Sequence, residues 1–142
     1  MKSAARRALD LDPNLADAHT ALGDALYMYD LNWTGADEEL RRGVDLDPNN
    51  LEAHTYYGNF LMAAGRFPEA IREAERAVSI DPVSSTVQSN YARILFRARK
   101  YQDAEIRYKK AIELDSQDFA AYTRLAEVFE QTGRLEEALK VV

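Results

Sequence analysis

Leu51 to Pro82, LEAHTYYGNFLMAAGRFPEAIREAERAVSIDP, decides the fold, because the rest of the chain reads as copies of it. The proline that closes it has counterparts at Pro13 and Pro48, and Ser116 stands where a fourth would fall, giving spacings of 35, 34 and 34 residues. A period in that range marks stacked repeats, in which no unit can bury its apolar face alone. The breaks are chemical as well as periodic. At Asp12-Pro13-Asn14, Asp47-Pro48-Asn49 and Asp81-Pro82, and more weakly at Asp115-Ser116, the missing N–H of proline and its clash with the residue before it end a helix. Behind each break stands an N-cap candidate, namely Asn14, Asn50, Ser84 or Ser85, and Asp118. Ser85-Thr86-Val87-Gln88 also has capping-box spacing.

Between breaks each unit holds two helices, short enough that packing rather than propensity must stabilise them. Gly65 and Gly133 suit the left-handed residue that ends the first helix, and Pro68 suits the first turn of the second. In the first unit the divider, Tyr29-Asp30-Leu31-Asn32-Trp33, is one residue longer, which accounts for the spacing of 35. Met1 to Leu11 reads as a short helix. The expected organisation is one domain over 1–142: a half-repeat 1–15, repeats 16–50, 51–84 and 85–118, and a truncated repeat 119–142.

With repeat position 1 set at Ala16, Leu51, Ser85 and Phe119, small residues align: Gly23, Gly58, Ala92 and Ala126 at position 8; Ala36, Ala70, Ala104 and Ala138 at position 20; Ala8, Gly43, Ala77 and Ala111 at position 27. None is larger than alanine, as expected where helix backbones approach closely. Large residues neighbour them: Leu22, Tyr57, Tyr91 and Leu125 at position 7; Leu26, Leu61, Leu95 and Phe129 at 11; Trp33, Phe67, Tyr101 and Leu135 at 17. This pattern resembles the tetratricopeptide repeat over the whole chain. It departs at position 4, where His19, His54, Gln88 and Tyr122 replace a frequent Trp, and at Ser116. The resemblance implies an all-α fold, a right-handed α-α superhelix of about nine helices in antiparallel pairs. It also implies a concave groove that binds a protein or peptide.

Composition narrows function further. The 142 residues include no cysteine, which removes disulfides and thiol chemistry and fits a reducing compartment. A net charge of −6 disfavours nucleic acid as a partner. No apolar run approaches the roughly 20 residues of a membrane span, and the basic start leads into a charged helix rather than a signal core, so a cytoplasmic chain without membrane contact is expected. No Gly-rich phosphate loop, G-x-S-x-G elbow, H-E-x-x-H or nucleophile–His pairing is present, and the expected protein is no enzyme and needs no cofactor.

Helical geometry places positions 2, 5, 6, 9, 12 and 13 on one stripe, opposite the packing positions. There the charges segregate, with Asp17 and Asp24 in the first repeat, Arg93 and Arg97 in the third, and Arg124 in the fourth. The candidate groove residues are Asn59 and Asn90 as amide donors, Arg93, Arg97 and Arg124 as cations, and Tyr56, Met62 and Phe96 as apolar contacts. A subset of the family resembles a carboxylate clamp for the acidic C-termini of major heat-shock chaperones. Asn59, Asn90 and Arg124 match three of its five places, whereas Thr55 and Ala120 stand where it has lysines. The reading is therefore a scaffold for a peptide or partner helix, with an acidic or C-terminal carboxylate ligand. The alternative is an assembly fragment of a larger regulatory protein or multidomain enzyme, self-associating through its solenoid ends.

His19 and His54 replace a packing residue, and no metal site is expected of them. Trp33 is read as core with an edge exposed by the extra residue beside it. Asp37, Glu38 and Glu39, like Glu136 and Glu137, read as solvated carboxylates near helix starts.

Overall fold

A computed structural model describes all residues, Met1–Val142, as nine α-helices without strands: α1 Lys2–Leu11, α2 Ala16–Met28, α3 Trp33–Leu46, α4 Leu51–Ala63, α5 Phe67–Ile80, α6 Ser85–Arg97, α7 Tyr101–Leu114, α8 Phe119–Gln131 and α9 Leu135–Val141. The connecting turns are three or four residues long. The chain divides into two compact units, Met1–Arg66 and Phe67–Val142, and the division falls inside the second repeat. In the first unit α2 packs on α1, α3 and α4; in the second, α6 packs on α5, α7 and α8, and α9 lies against α8.

The boundaries have local causes. Asp12, Asp47 and Asp115 each accept, through Oδ1, the backbone N–H two residues on, so the aspartate before the break folds the turn, with proline next at the first two and Ser116 at the third. Asn50, Ser84 and Asp118 accept the N–H of Ala53, Val87 and Ala121, as N-caps do. Two expectations need correcting. Leu15, not Asn14, caps α2, because that helix starts one residue later than Asn14 could serve; Asn14 accepts a bond from Arg42 instead. With Ser84 as the cap, Gln88 falls out of capping-box register and donates to the Pro82 carbonyl.

The dividers differ in strain. Gly65 and Gly133 are left-handed at φ 74°, while Leu31 and Arg99 take the same turn with side chains, at φ 52° and 60°. Three dividers close with an N–H bond to the carbonyl five residues back, Arg66 to Leu61, Lys100 to Leu95 and Arg134 to Phe129; the longer first divider closes from Asn32 to Leu26.

All residues at positions 8 and 20 are buried, and at position 27 Gly43, Ala77 and Ala111 are. In the first unit the contact is close enough to need glycine. A Cβ on Gly23 would lie 2.6 Å from Leu40 Cγ and 2.9 Å from its backbone N, and one on Gly43 would lie 2.4 Å from Thr20 Oγ1. Trp33 is less buried than a core residue. It is 42% exposed and forms an aromatic cluster with Tyr27 and Phe60, centroids 5.1 and 5.7 Å away. The carboxylates read as solvated are partly engaged. Asp37 accepts from the Tyr57 hydroxyl and pairs with Arg66, both at 2.9 Å, Glu39 meets His19, and Glu137 pairs with Arg134. Asp37 and Glu39 lie within reach of helices other than their own, which a helix-start argument overlooks. No helix is long and apolar enough to cross a membrane.

Candidate functional site

Each unit carries a hollow, and the two are lined from the same repeat positions. In the first unit positions 2, 5, 6 and 9 of one repeat and 2 and 6 of the next supply Asp17, Thr20, Ala21, Asp24, Glu52 and Tyr56, around a space of about 80 Å³. In the second unit those positions supply Thr86, Ser89, Asn90, Arg93, Ala120 and Arg124, around about 330 Å³, with Tyr108, Asp118 and Ala121 completing the wall.

The second hollow holds two guanidinium groups. Arg93, half-buried on α6, donates from Nη2 to Asn90 Oδ1 at 2.7 Å, which fixes the arginine and leaves the Asn90 amide N–H₂ as the donor that residue offers. Burial pushes the Arg93 pKa down, and the charges of Arg124 and Arg97 add to that, partly offset by Tyr108. Arginine keeps its proton regardless, so an incoming anion would relieve the unfavourable charge. Arg124, one turn into α8, donates from Nη1 to both Glu127 oxygens at 2.9 Å. Asp118 is committed elsewhere, accepting from Ala121 N at 3.0 Å and from Ser89 Oγ at 3.2 Å. Tyr108 is 2% exposed, and burial pushes its phenol up to about 12, so it stays neutral beside both arginines.

The first hollow has the opposite sign. Asp24 is raised by burial, and the Tyr56 phenol is raised by burial and then by the charges of Asp24 and Glu52. Asp17 accepts from Asn50 Nδ2 at 2.6 Å.

Of the eight candidate groove residues, Asn90, Arg93 and Arg124 meet in the second hollow, and Tyr56 lines the first. Phe96 packs edge-on against Tyr101, centroids 5.4 Å apart, while Arg97 is exposed; neither lines the second hollow. Asn59 and Met62, half-buried on α4, do not line the first. Thr55, at a clamp lysine position, donates its hydroxyl to the Leu51 carbonyl at 2.8 Å. Sequence reasoning missed Tyr108 and Asp118. Tyr108 was legible as the polar aromatic among the aliphatic Leu40 and Ala74 at its repeat position, and Asp118 doubles as an N-cap.

Two tetratricopeptide repeat family models match, over residues 32–94 and 91–142. The chain belongs to the tetratricopeptide repeat family. Solved structures agree on the tetratricopeptide fold. MamA shares 24% identity, with 98% of this chain and 81% of that one covered at a TM-score of 0.83. PilF of Pseudomonas aeruginosa shares 26%, covering 96% and 62% at 0.83. YrrB, described as a TPR protein with an unusual peptide-binding site, shares 17%, covering 96% and 70% at 0.79. No curated protein sequence gives a significant match. Within the tetratricopeptide frame, the polar residues at position 4 have a repeated task. The His19 and His54 Nε2 atoms and the Gln88 amide each bond to the carbonyl of the break proline six residues back, at 2.8, 3.0 and 3.1 Å. These side chains latch the turn where a packing residue would merely cover it.

Proposed function

We propose that this tetratricopeptide repeat chain is a protein–protein interaction module whose second unit holds an acidic group of a partner peptide between Asn90, Arg93 and Arg124. Tetratricopeptide domains bind proteins or peptides, and such domains serve generally as scaffolds rather than catalysts. The observation that carries the reading is the joining of two guanidinium groups and an oriented amide in one hollow. Arginine is the forked partner that carboxylates favour. The hollow has room for a whole side chain and its neighbouring backbone, and Tyr108, Ala120 and Ala121 give it an apolar lining. Arg97 and Phe96 extend the proposed surface within the second unit; Tyr56, Asn59 and Met62 are proposed separately, as contacts of the first unit. A full chaperone-type clamp is disfavoured, because Thr55 and Ala120 bring no cation.

The test is fluorescence anisotropy with a labelled acidic peptide. Arg97→Glu combined with Arg124→Glu is expected to abolish capture while far-ultraviolet circular dichroism stays unchanged; undiminished capture would contradict the assignment.

One observation favours a second reading, self-association. Phe119 and Val142 are 76% and 75% exposed and line a hollow of about 390 Å³ with Ser116, Tyr122, Thr123 and Val141. Apolar surface of this kind favours contacts between molecules. Light scattering against concentration decides it: growth in mass that Phe119→Asp suppresses supports assembly, and a constant monomer mass opposes it.

A further inference from the structure

Arg93 and Arg124 face the same hollow but are held differently. Arg93 is half-buried and bonded to Asn90 of its own helix. The Arg124 side chain is 55% exposed and engaged by Glu127, itself 37% exposed, through one nitrogen that serves both carboxylate oxygens. A water-washed pair one helical turn apart is weakly held and is broken by a change of rotamer. The other carboxylate near the arginines, Asp118, lacks that freedom because it caps α8 and receives the Ser89 hydroxyl.

Resting on the acid-binding reading above, we propose that Glu127 is a built-in competitor for the hollow's ligand, occupying Arg124 in the free protein and yielding it to a carboxylate of the partner. Glu127 already gives Arg124 a carboxylate contact of the kind that a carboxylate ligand would supply. With Glu127 in place the two arginines face two carboxylates, Glu127 and Asp118, so the local charge is close to balanced and binding is moderate. Once Glu127 swings away the hollow carries a net positive charge. Glu127 therefore sets affinity and selectivity for acidic over neutral peptides without touching the ligand backbone.

The experiment is titration calorimetry on the full chain with an oligoglutamate peptide, comparing the natural protein, Glu127→Gln and Glu130→Gln. Glu130 is exposed on the same helix, so its variant removes an equal charge without freeing Arg124. Glu127→Gln is expected to bind roughly threefold to fivefold tighter, and Glu130→Gln less than about twofold tighter, the scale of exposed charge pairs. Oligoglutamate binding by Glu127→Gln alone would support the proposal in its strongest form. Equal affinities for the two variants, with the natural protein still binding, would overturn this inference and leave the acid-binding reading intact. Failure of all three proteins to bind would overturn both.

Discussion

Position 9 of the leading repeat is Asp24 in the first unit and Arg93 in the second; position 6 of the following repeat is Tyr56 in one and Arg124 in the other. The backbone frame repeats, yet Asp17, Asp24 and Glu52 surround a space of about 80 Å³, while Arg93 and Arg124 flank one of about 330 Å³. The difference teaches that the same packing positions leave a hollow in each unit, and that the charged residues of the stripe give it its sign. Some lining residues also hold the fold, as Asp118 caps α8 and Thr20 packs against Gly43. The stripe charge of Arg124, by contrast, is exposed and can be reversed with little effect on the helices beneath.

The strongest way to break this comparison is to convert the second hollow toward the first. Arg93→Asp combined with Arg124→Tyr should weaken acidic-peptide binding by roughly a hundredfold, since two charge-assisted contacts are lost. Anisotropy titration reads this, and a loss under threefold would mean that the hollow does not bind the acid.

A second contrast lies in the packing. Position 8 is Gly23 and Gly58 in the first unit and Ala92 and Ala126 in the second, and a Cβ on Gly23 would meet Leu40 at clashing distance. Gly23→Ala should destabilise by about 2 kcal/mol through overpacking. Ala92→Gly, which opens a helix interior, should cost about 1 kcal/mol. Urea denaturation of both variants ranks them.

An effect confined to the second unit should appear with pH. Burial opposes the charge of Glu105, but hydrogen bonds from Arg134 and Lys109 outweigh it and hold the carboxyl below the usual range. A folded pKa below the unfolded one means stability that is present above the unfolded value and lost as pH falls through the folded one. Glu105→Gln should therefore be less stable than the natural chain at neutral pH, with the gap closing in acid, as urea midpoints measured across pH will show.

The smallest effect concerns the dividers. Arg99 takes the left-handed turn that Gly65 and Gly133 make without a side chain. Arg99→Gly should raise stability by about 0.5 kcal/mol, the relief of strain exceeding the added freedom of the unfolded chain. Thermal melts check the sign.

The repeat was legible because helix breaks and small residues are local features: proline at the turn, alanine or glycine where backbones touch. The left-handed glycines at Gly65 and Gly133 were legible for the same reason. Side-chain commitments were harder, because they depend on which neighbour lies within reach. Asp37 looked solvated from its place at a helix start, yet it receives the hydroxyl of Tyr57, twenty residues on. Trp33 is read from its repeat position as core with an exposed edge, and the exposed part amounts to 42%. At the candidate site, Arg93 and Arg124 were visible as stripe cations, whereas Tyr108 reaches the hollow from a second helix that the stripe does not include. His19 and His54 each stand six residues after a break proline. The same offset of six residues from a break proline recurs at Gln88, and it predicts a polar latch better than a packing substitute.

The most direct measurement is a ¹⁵N-resolved nuclear magnetic resonance titration of the full chain with an oligoglutamate peptide. The account predicts that shifts concentrate at Asn90, Arg93, Ala120, Ala121 and Arg124, with Asp17, Asp24 and Glu52 unmoved. Shifts centred on those three acidic residues, or spread evenly over the helices, would contradict it.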